Sequence, residues 1–446
     1  MIAAYKEHSQ FILILAIMYI AGVWGGPIIY AIYPVVMILF GLKGRYFELF
    51  ISAIWLLMLG DYVPVKNATY DDLQFAKDLK SLIPVFLFLF YLRDRDSFPK
   101  IPSLFWYFTP FFLIAIISLN YSINFSVGIQ KTISFILMYF CIPIYVVKLH
   151  NDYNEKFWKA LITFVIGMLS IGIFLGLFVP SIGLLSDARF KGVLGNPNGL
   201  GIFLNMTFII WILVKELDLA KFTRNETIYV LLIIFWSLLW GGSRNGMMSV
   251  FLFYLMYRFI KVNWFIAIIV LIAFLSFDNL IFEFFLGVID FFNLESYFRV
   301  DSLEEGSGRK IAWVFAWGEI VRDNFLIGGG FGHDENIMRP NYEWLSRLGH
   351  NGGVHNSYLS FWFDTGLIGV LAYYLGFLII IMRSMRFNYI ALAVAVSILF
   401  NSTYESWLVA SLNPFTIMLL VILTILISNF SNLPILKEKT QPKSIE

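Results

Sequence analysis

Three residues far apart in the chain carry side chains that could together hold an anion and move a proton: Arg244 in WGGSRNGMM, Arg309 in GSGRKIAW and His355 in GGVHNSYLS. An imidazole accepts a proton from a hydroxyl at neutral pH, and a guanidinium grips anionic oxygens two at a time while staying charged in poorly hydrated places. Further polar groups accompany them: Arg189 and Lys191 in RFK, Asn196 and Asn198 in NPN, and Asn356 and Tyr358 directly after the histidine. Each also has a structural reading. Arg244 sits at a helix boundary, where an arginine can snorkel to the interface. Arg309 opens an expected helix, where a cation opposes the helix dipole, so a purely structural role suits it less well. Arg189 and Lys191 read equally as ordinary loop charges, NPN as a turn and helix start, and Glu405 in NSTYESW as a solvated loop acid. No HExxH, DxD or P-loop pattern occurs, so the sequence gives no support for a metal or nucleotide and implies no cofactor.

The elements that must position these groups are membrane spans. Of 446 residues 59% are hydrophobic and 14% charged, which does not describe a soluble chain. The net charge of +2 is spread thinly between apolar runs, which argues against nucleic acid. The single cysteine, Cys141, lies inside an apolar run and supports neither disulfide nor thiol chemistry. The N-terminal MIAAYKEHSQ leads into apolar sequence with no cleavage site, so the first span is expected to be retained.

Fourteen apolar segments follow, at 11–24, 27–42, 46–60, 81–92, 103–118, 129–148, 157–179, 199–214, 226–240, 245–260, 263–277, 356–381, 388–404 and 412–429. Several fall short of a full span, so the expectation is an all-α polytopic membrane protein with about 12–14 transmembrane helices, forming one membrane domain over 1–446. With the N-terminus inside, nineteen lysines and arginines fall on inner connections and seven on short outer ones. Both termini are therefore expected in the cytoplasm. Arg189, Lys191, Arg244, Arg309 and His355 all then face outward, an arrangement most simply explained by an anionic ligand.

Residues 278–353 form the one long outer loop. FEFFLGVIDFFN and GRKIAWVFAWGEIVRDN have helical spacing with apolar faces, suited to helices lying on the membrane or closing over a cavity. The tract Gly328–Gly332 reads as flexible. The aromatics Trp313, Trp317, Tyr342 and Trp344 read mainly as core or interface packing.

In order and spacing, FKGVLGNPNGLG, GGSRNG, SGRKIAW, FLIGGGFG and GGVHNSYLSFWFDTGLIGV resemble bacterial O-antigen ligases and the related O-antigen polymerases, over roughly residues 185–375. The resemblance implies a glycosyltransferase in the bacterial cytoplasmic (inner) membrane, with its active site on the outer, periplasmic side. Its implied donor is a glycan on undecaprenyl pyrophosphate, and its acceptor another glycan or the lipid A core, with membrane lipid and polysaccharide assembly proteins as neighbours. Arg244 and Arg309 would hold the pyrophosphate, with Arg189 and Lys191 as weaker candidates. His355 would be the general base, and Asn356 or Tyr358 would orient it or the sugar. Polymerisation is the leading reading and ligation to lipid A core the alternative. A flippase for the same lipid-linked sugars is a rival of another class; it would call for ionisable groups at mid-membrane and related halves, and the sequence has few of the first and no sign of the second.

Overall fold

A computed structural model describes residues 8–17, 27–61, 80–263, 308–323, 325–350 and 352–428, with a few single residues beside them. The chain is an all-α polytopic membrane protein. Its principal helices are α1 (His8–Ile17), α2 (Pro27–Leu42), α3 (Tyr46–Asp61), α4 (Leu82–Arg93), α5 (Ser103–Ser118), α6 (Phe125–Tyr153), α7 (Glu155–Phe178), α8 (Pro197–Glu216), α9 (Arg224–Gly241), α10 (Arg244–Val262), α11 (Arg309–Asp323), α12 (Ser357–Ser384), α13 (Ile390–Tyr404) and α14 (Pro414–Ser428). Among the described residues, five stretches are long and apolar enough to cross a bilayer by themselves: 103–121, α6, α7, α8 and α12. The others are shorter or more polar than a full span requires. Of the expected segments, 263–277 lies mostly outside the described residues, and the loop helix expected at FEFFLGVIDFFN lies wholly outside them.

Polar contacts sort the helix ends into two groups. At one end Glu216, closing α8, accepts hydrogen bonds from Tyr257 (2.6 Å) and Lys261 (2.9 Å) near the close of α10 and from Tyr389 (3.3 Å) just before α13. Lys148 of α6 reaches Ser97 O at 3.0 Å, and Arg93 of α4 reaches Gly41 O at 2.8 Å. These residues mark the basic end. The starts of α8, α10 and α12 and the close of α13 therefore lie at the other end.

Between them a polar seam ties α8, α10 and α13 together. Ser397 donates to Asn205 Oδ1 (3.1 Å) or to Ser249 O (2.9 Å), and Asn401 donates to Ser249 Oγ (2.9 Å). Asn245, next to Arg244, donates to Asn401 O at 3.2 Å. Inside a membrane, where apolar side chains gain little by leaving lipid for protein, such bonds and close backbone contact hold helices in register. Gly201 and Gly246 supply that contact: a Cβ on Gly246 would lie 2.5 Å from the Gly201 Cα. The glycines of NPNGLG and GGSRNG thus set the crossing of α8 and α10.

The Gly328–Gly332 tract corrects an expectation, since it is pinned rather than flexible. Helix α12 breaks at Gly366 (φ 68°, ψ −179°), which parts the ladder bonds that Phe363 O and Asp364 O would receive from Leu367 and Ile368. The loop replaces all of them. Gly329 N donates to Phe363 O (2.9 Å) and Gly330 N to Asp364 O (2.9 Å), while Leu367 N donates to Phe325 O (2.9 Å) and Ile368 N to Leu326 O (3.3 Å). Only glycine allows so close an approach: a Cβ on Gly328 would lie 2.3 Å from the Asp364 carbonyl carbon. Below this seam Phe331 stacks on Phe135 of α6 at 5.1 Å, and Lys131 pairs with Glu335 at 3.6 Å.

Candidate functional site

The loop helix α11 turns Ala312, Ala316 and Ile320 inward against Leu345, Val354 and Phe363, a small core separate from that of the bundle. That packing places Arg309, its first residue, over the close of α13. Arg309 Nη2 donates to Glu405 Oε1 at 2.8 Å, with both side chains largely buried. The other carboxylate oxygen, Oε2, lies 3.4 Å from His355 Nδ1. One carboxylate therefore bridges the expected base and one of the expected cations.

His355 is held from several sides. It has φ +49°, a left-handed conformation that costs a non-glycine residue about 1–3 kcal/mol and is kept only where the surroundings impose it. Trp313 Nε1 donates to Val354 O (3.0 Å) just before it. Just after it, Asn356 Oδ1 caps α12 by accepting from Tyr358 N (2.9 Å) and Leu359 N (3.0 Å), and Ser357 Oγ donates to Glu405 O (2.6 Å). Gly352 lies against the free ring nitrogen; a Cβ there would come within 2.9 Å of Nε2. The facing carboxylate favours a proton on Nδ1, which leaves Nε2 with its lone pair for an incoming hydroxyl.

Arg244 arrives on the neighbouring element. Gly242, left-handed at φ 58°, ends α9, and Ser243 caps α10 by accepting from Gly246 N at 3.3 Å, so Arg244 becomes the first residue of α10. The Asn245–Asn401 bond fixes this helix start one turn of α13 short of Glu405. A cation at a helix N-terminus adds to the partial positive charge already there, which suits an anion and little else.

The remaining candidates are placed differently. Arg189 Nε pairs with Asp187 in its own turn at 2.8 Å. Lys191 is buried, and burial lowers its amine below the ordinary lysine range. Phe190 between them stacks on Trp240 at 4.5 Å, which fixes this turn beside the close of α9. Asn356 Oδ1 is engaged as a helix cap. The Tyr358 hydroxyl donates to Leu399 O at 2.9 Å, inside the bundle. Tyr358→Phe is expected to lower stability by about 1 kcal/mol and to leave transfer intact, as thermal unfolding and a turnover assay would report. Transfer lost at unchanged stability would instead put Tyr358 on the substrate.

Glu405 was expected as a solvated loop acid; it is buried and doubly engaged. Its sequence signal is slight: it is a carboxylate at a span's end on the same membrane face as several cations. His350 joins the centre without a motif of its own to mark it. It is buried, its Nε2 lies 2.9 Å from Gly353 O, and its ring stands edge-on to His355 at 5.9 Å. Burial pushes its imidazole below the ordinary 6.5; the Gly353 carbonyl opposes this, while His355 and Arg309 reinforce it. A lowered folded value means the unfolded turn binds the proton more readily, so stability is present above the ordinary value of 6.5 and drains away as pH falls below it. Protection of the amides at residues 352–355, corrected for the intrinsic pH dependence of exchange, should accordingly fall in mild acid, and protection independent of pH would contradict this.

Fold and site together define a polytopic membrane protein with a histidine–carboxylate–guanidinium centre at the end of the bundle away from the basic one. Residues 229–374, from α9 to the second half of α12, match the family model described as O-Antigen ligase (Wzy_C). Arg244, Arg309 and His355 all lie within this match, so the region that carries the centre is similar to O-antigen ligases. No curated protein matches the chain.

Proposed function

We propose that the protein transfers a glycan from undecaprenyl pyrophosphate to a sugar hydroxyl of an acceptor during surface polysaccharide assembly. The observation that carries this reading is the Glu405 carboxylate set between Arg309 and His355. The acceptor hydroxyl gives its proton to His355 Nε2 as its oxygen bonds to the anomeric carbon. Glu405 steadies the Nδ1 proton and offsets the positive charge that the ring acquires. The bond from the anomeric carbon to the pyrophosphate oxygen breaks, and the electron pair leaves with undecaprenyl pyrophosphate. Arg309 and Arg244 stabilise that growing charge, with Arg189 and Lys191 as outlying cations for the same group. The single displacement inverts the anomeric centre. The charge bias of the connections supports an orientation with both termini in the cytoplasm of the inner membrane and this site on the periplasmic or outer face.

The leading reading takes a second lipid-linked glycan as acceptor and makes a polymer; transfer to lipid A core is the alternative. Purified protein in liposomes, given donor and acceptor, should release undecaprenyl pyrophosphate with time. Intact donor moved across the bilayer without release would point to a flippase and reject the reading. A deletion strain separates the two acceptors. Single repeats on lipid A core mark a lost polymerase, and bare core with long chains left on undecaprenol marks a lost ligase.

A further inference from the structure

Helix length puts the seam between the loop and the broken helix within the thickness of a bilayer's hydrocarbon core. A hydrocarbon core of about 30 Å corresponds to about 20 helical residues; counted back from Arg383, at the basic end of α12, it reaches Phe363. A second ruler agrees with the first. A Cβ on Gly369 would meet Ile114 at 3.4 Å, and Ile114 lies eleven residues, about 16 Å, from the basic start of α5. Gly366, Leu367 and Ile368 stand one turn or less from Gly369 and are still inside the core.

The loop residues joined to them must lie at the same depth. Phe325 O accepts from Leu367 N and from Trp362 Nε1 (2.8 Å), and Leu326 O accepts from Ile368 N. Non-helical backbone survives in hydrocarbon only where its polar groups are paired, and here the exchange of ladder bonds pairs them. The side chains meanwhile point outward. Leu326 is 57% exposed, close to the 60% of Leu371 on the open face of α12, and Trp317, Val321, Phe325 and Ile368 extend the same apolar surface. Trp317 packs against Trp362 at 5.3 Å and borders the patch with indoles, as at a membrane interface.

We infer that the apolar side chains of Trp317, Val321, Phe325 and Leu326 form a re-entrant foot whose occupant is the acyl chains of the leaflet on the site's side, with Arg322 beside it paired to Glu319 and Asp323. The foot roots the loop that carries Arg309 in the bilayer as well as in the protein. The inference rests on α12 crossing the membrane and not on glycosyl transfer, so either can fail without the other.

Nitroxide labels on L326C and V321C, in protein reconstituted into phosphatidylcholine liposomes, test it by their collision rates with oxygen and with a water-soluble nickel chelate. Cys141 is buried, so it is retained, and the parent protein serves as the labelling blank. L371C is the lipid reference and E343C, on the exposed short helix Tyr342–Arg347, is the water reference. Both foot labels should give oxygen-to-nickel ratios near that of L371C and several-fold above that of E343C. Ratios matching E343C in both would overturn the foot, since they would place Leu326 and Val321 in water.

Discussion

His355→Ala should release undecaprenyl pyrophosphate at a rate lower by roughly 10²–10⁴-fold, the usual contribution of a positioned general base. The substitution removes the imidazole proposed to take the acceptor's proton while leaving Arg309 paired with Glu405. Expression and thermal stability should hold, because the start of α12 is secured by Asn356 and Ser357 rather than by the ring. Glu405→Gln should cost less than His355→Ala. It keeps a hydrogen-bond acceptor beside Nδ1 but withdraws the charge that offsets the imidazolium formed as the proton is taken. Glu405→Gln as slow as His355→Ala, in protein of unchanged thermal stability, would contradict this order.

Gly366→Ala should be the most damaging substitution for folding. The position combines φ 68° with ψ −179°, a conformation essentially reserved for glycine, and a Cβ there would stand 2.2 Å from Leu326 O. Strain and collision together are expected to remove roughly 3 kcal/mol or more, a large share of the 5–15 kcal/mol that ordinarily separates folded from unfolded protein. The loop would lose its seat in α12 and Arg309 its place over Glu405. Gel filtration in detergent and a thermal unfolding curve would report the loss. Gly318→Ala is the control: nothing lies within 4 Å of a Cβ there, and α11 should tolerate or welcome it. Equal behaviour of the two variants would mean that the break in α12 is not a structural requirement.

Much of the architecture was legible because apolar runs in a membrane chain have one use. The segment at 103–118 coincides with α5, and most others differ from their helices by a few residues. Caps account for several of the differences: Asn196, Ser243 and Asn356 start α8, α10 and α12 through side-chain bonds that hydropathy does not register. The glycines of FLIGGGFG were visible but misread. Glycine marks both freedom and close approach, and only the broken ladder of α12 decides between them. Arg309 and His355 stood out because their motifs are local, whereas Glu405 depends on a pairing across 50 residues that no spacing rule expresses. Asn356 and Tyr358 stood out for the same local reason, and their side chains turned out to be engaged in the helix start and the bundle.

The central claim is a division of labour between arginines that hold a diphosphate and a histidine that takes a proton. The affinity of His355→Ala and of Arg244→Ala for undecaprenyl pyrophosphate, measured side by side in detergent micelles, tests it most directly. The account predicts wild-type affinity for the first and at least a tenfold loss for the second, about 1.4 kcal/mol; equal affinities in the two variants, whether both intact or both weakened, would contradict it.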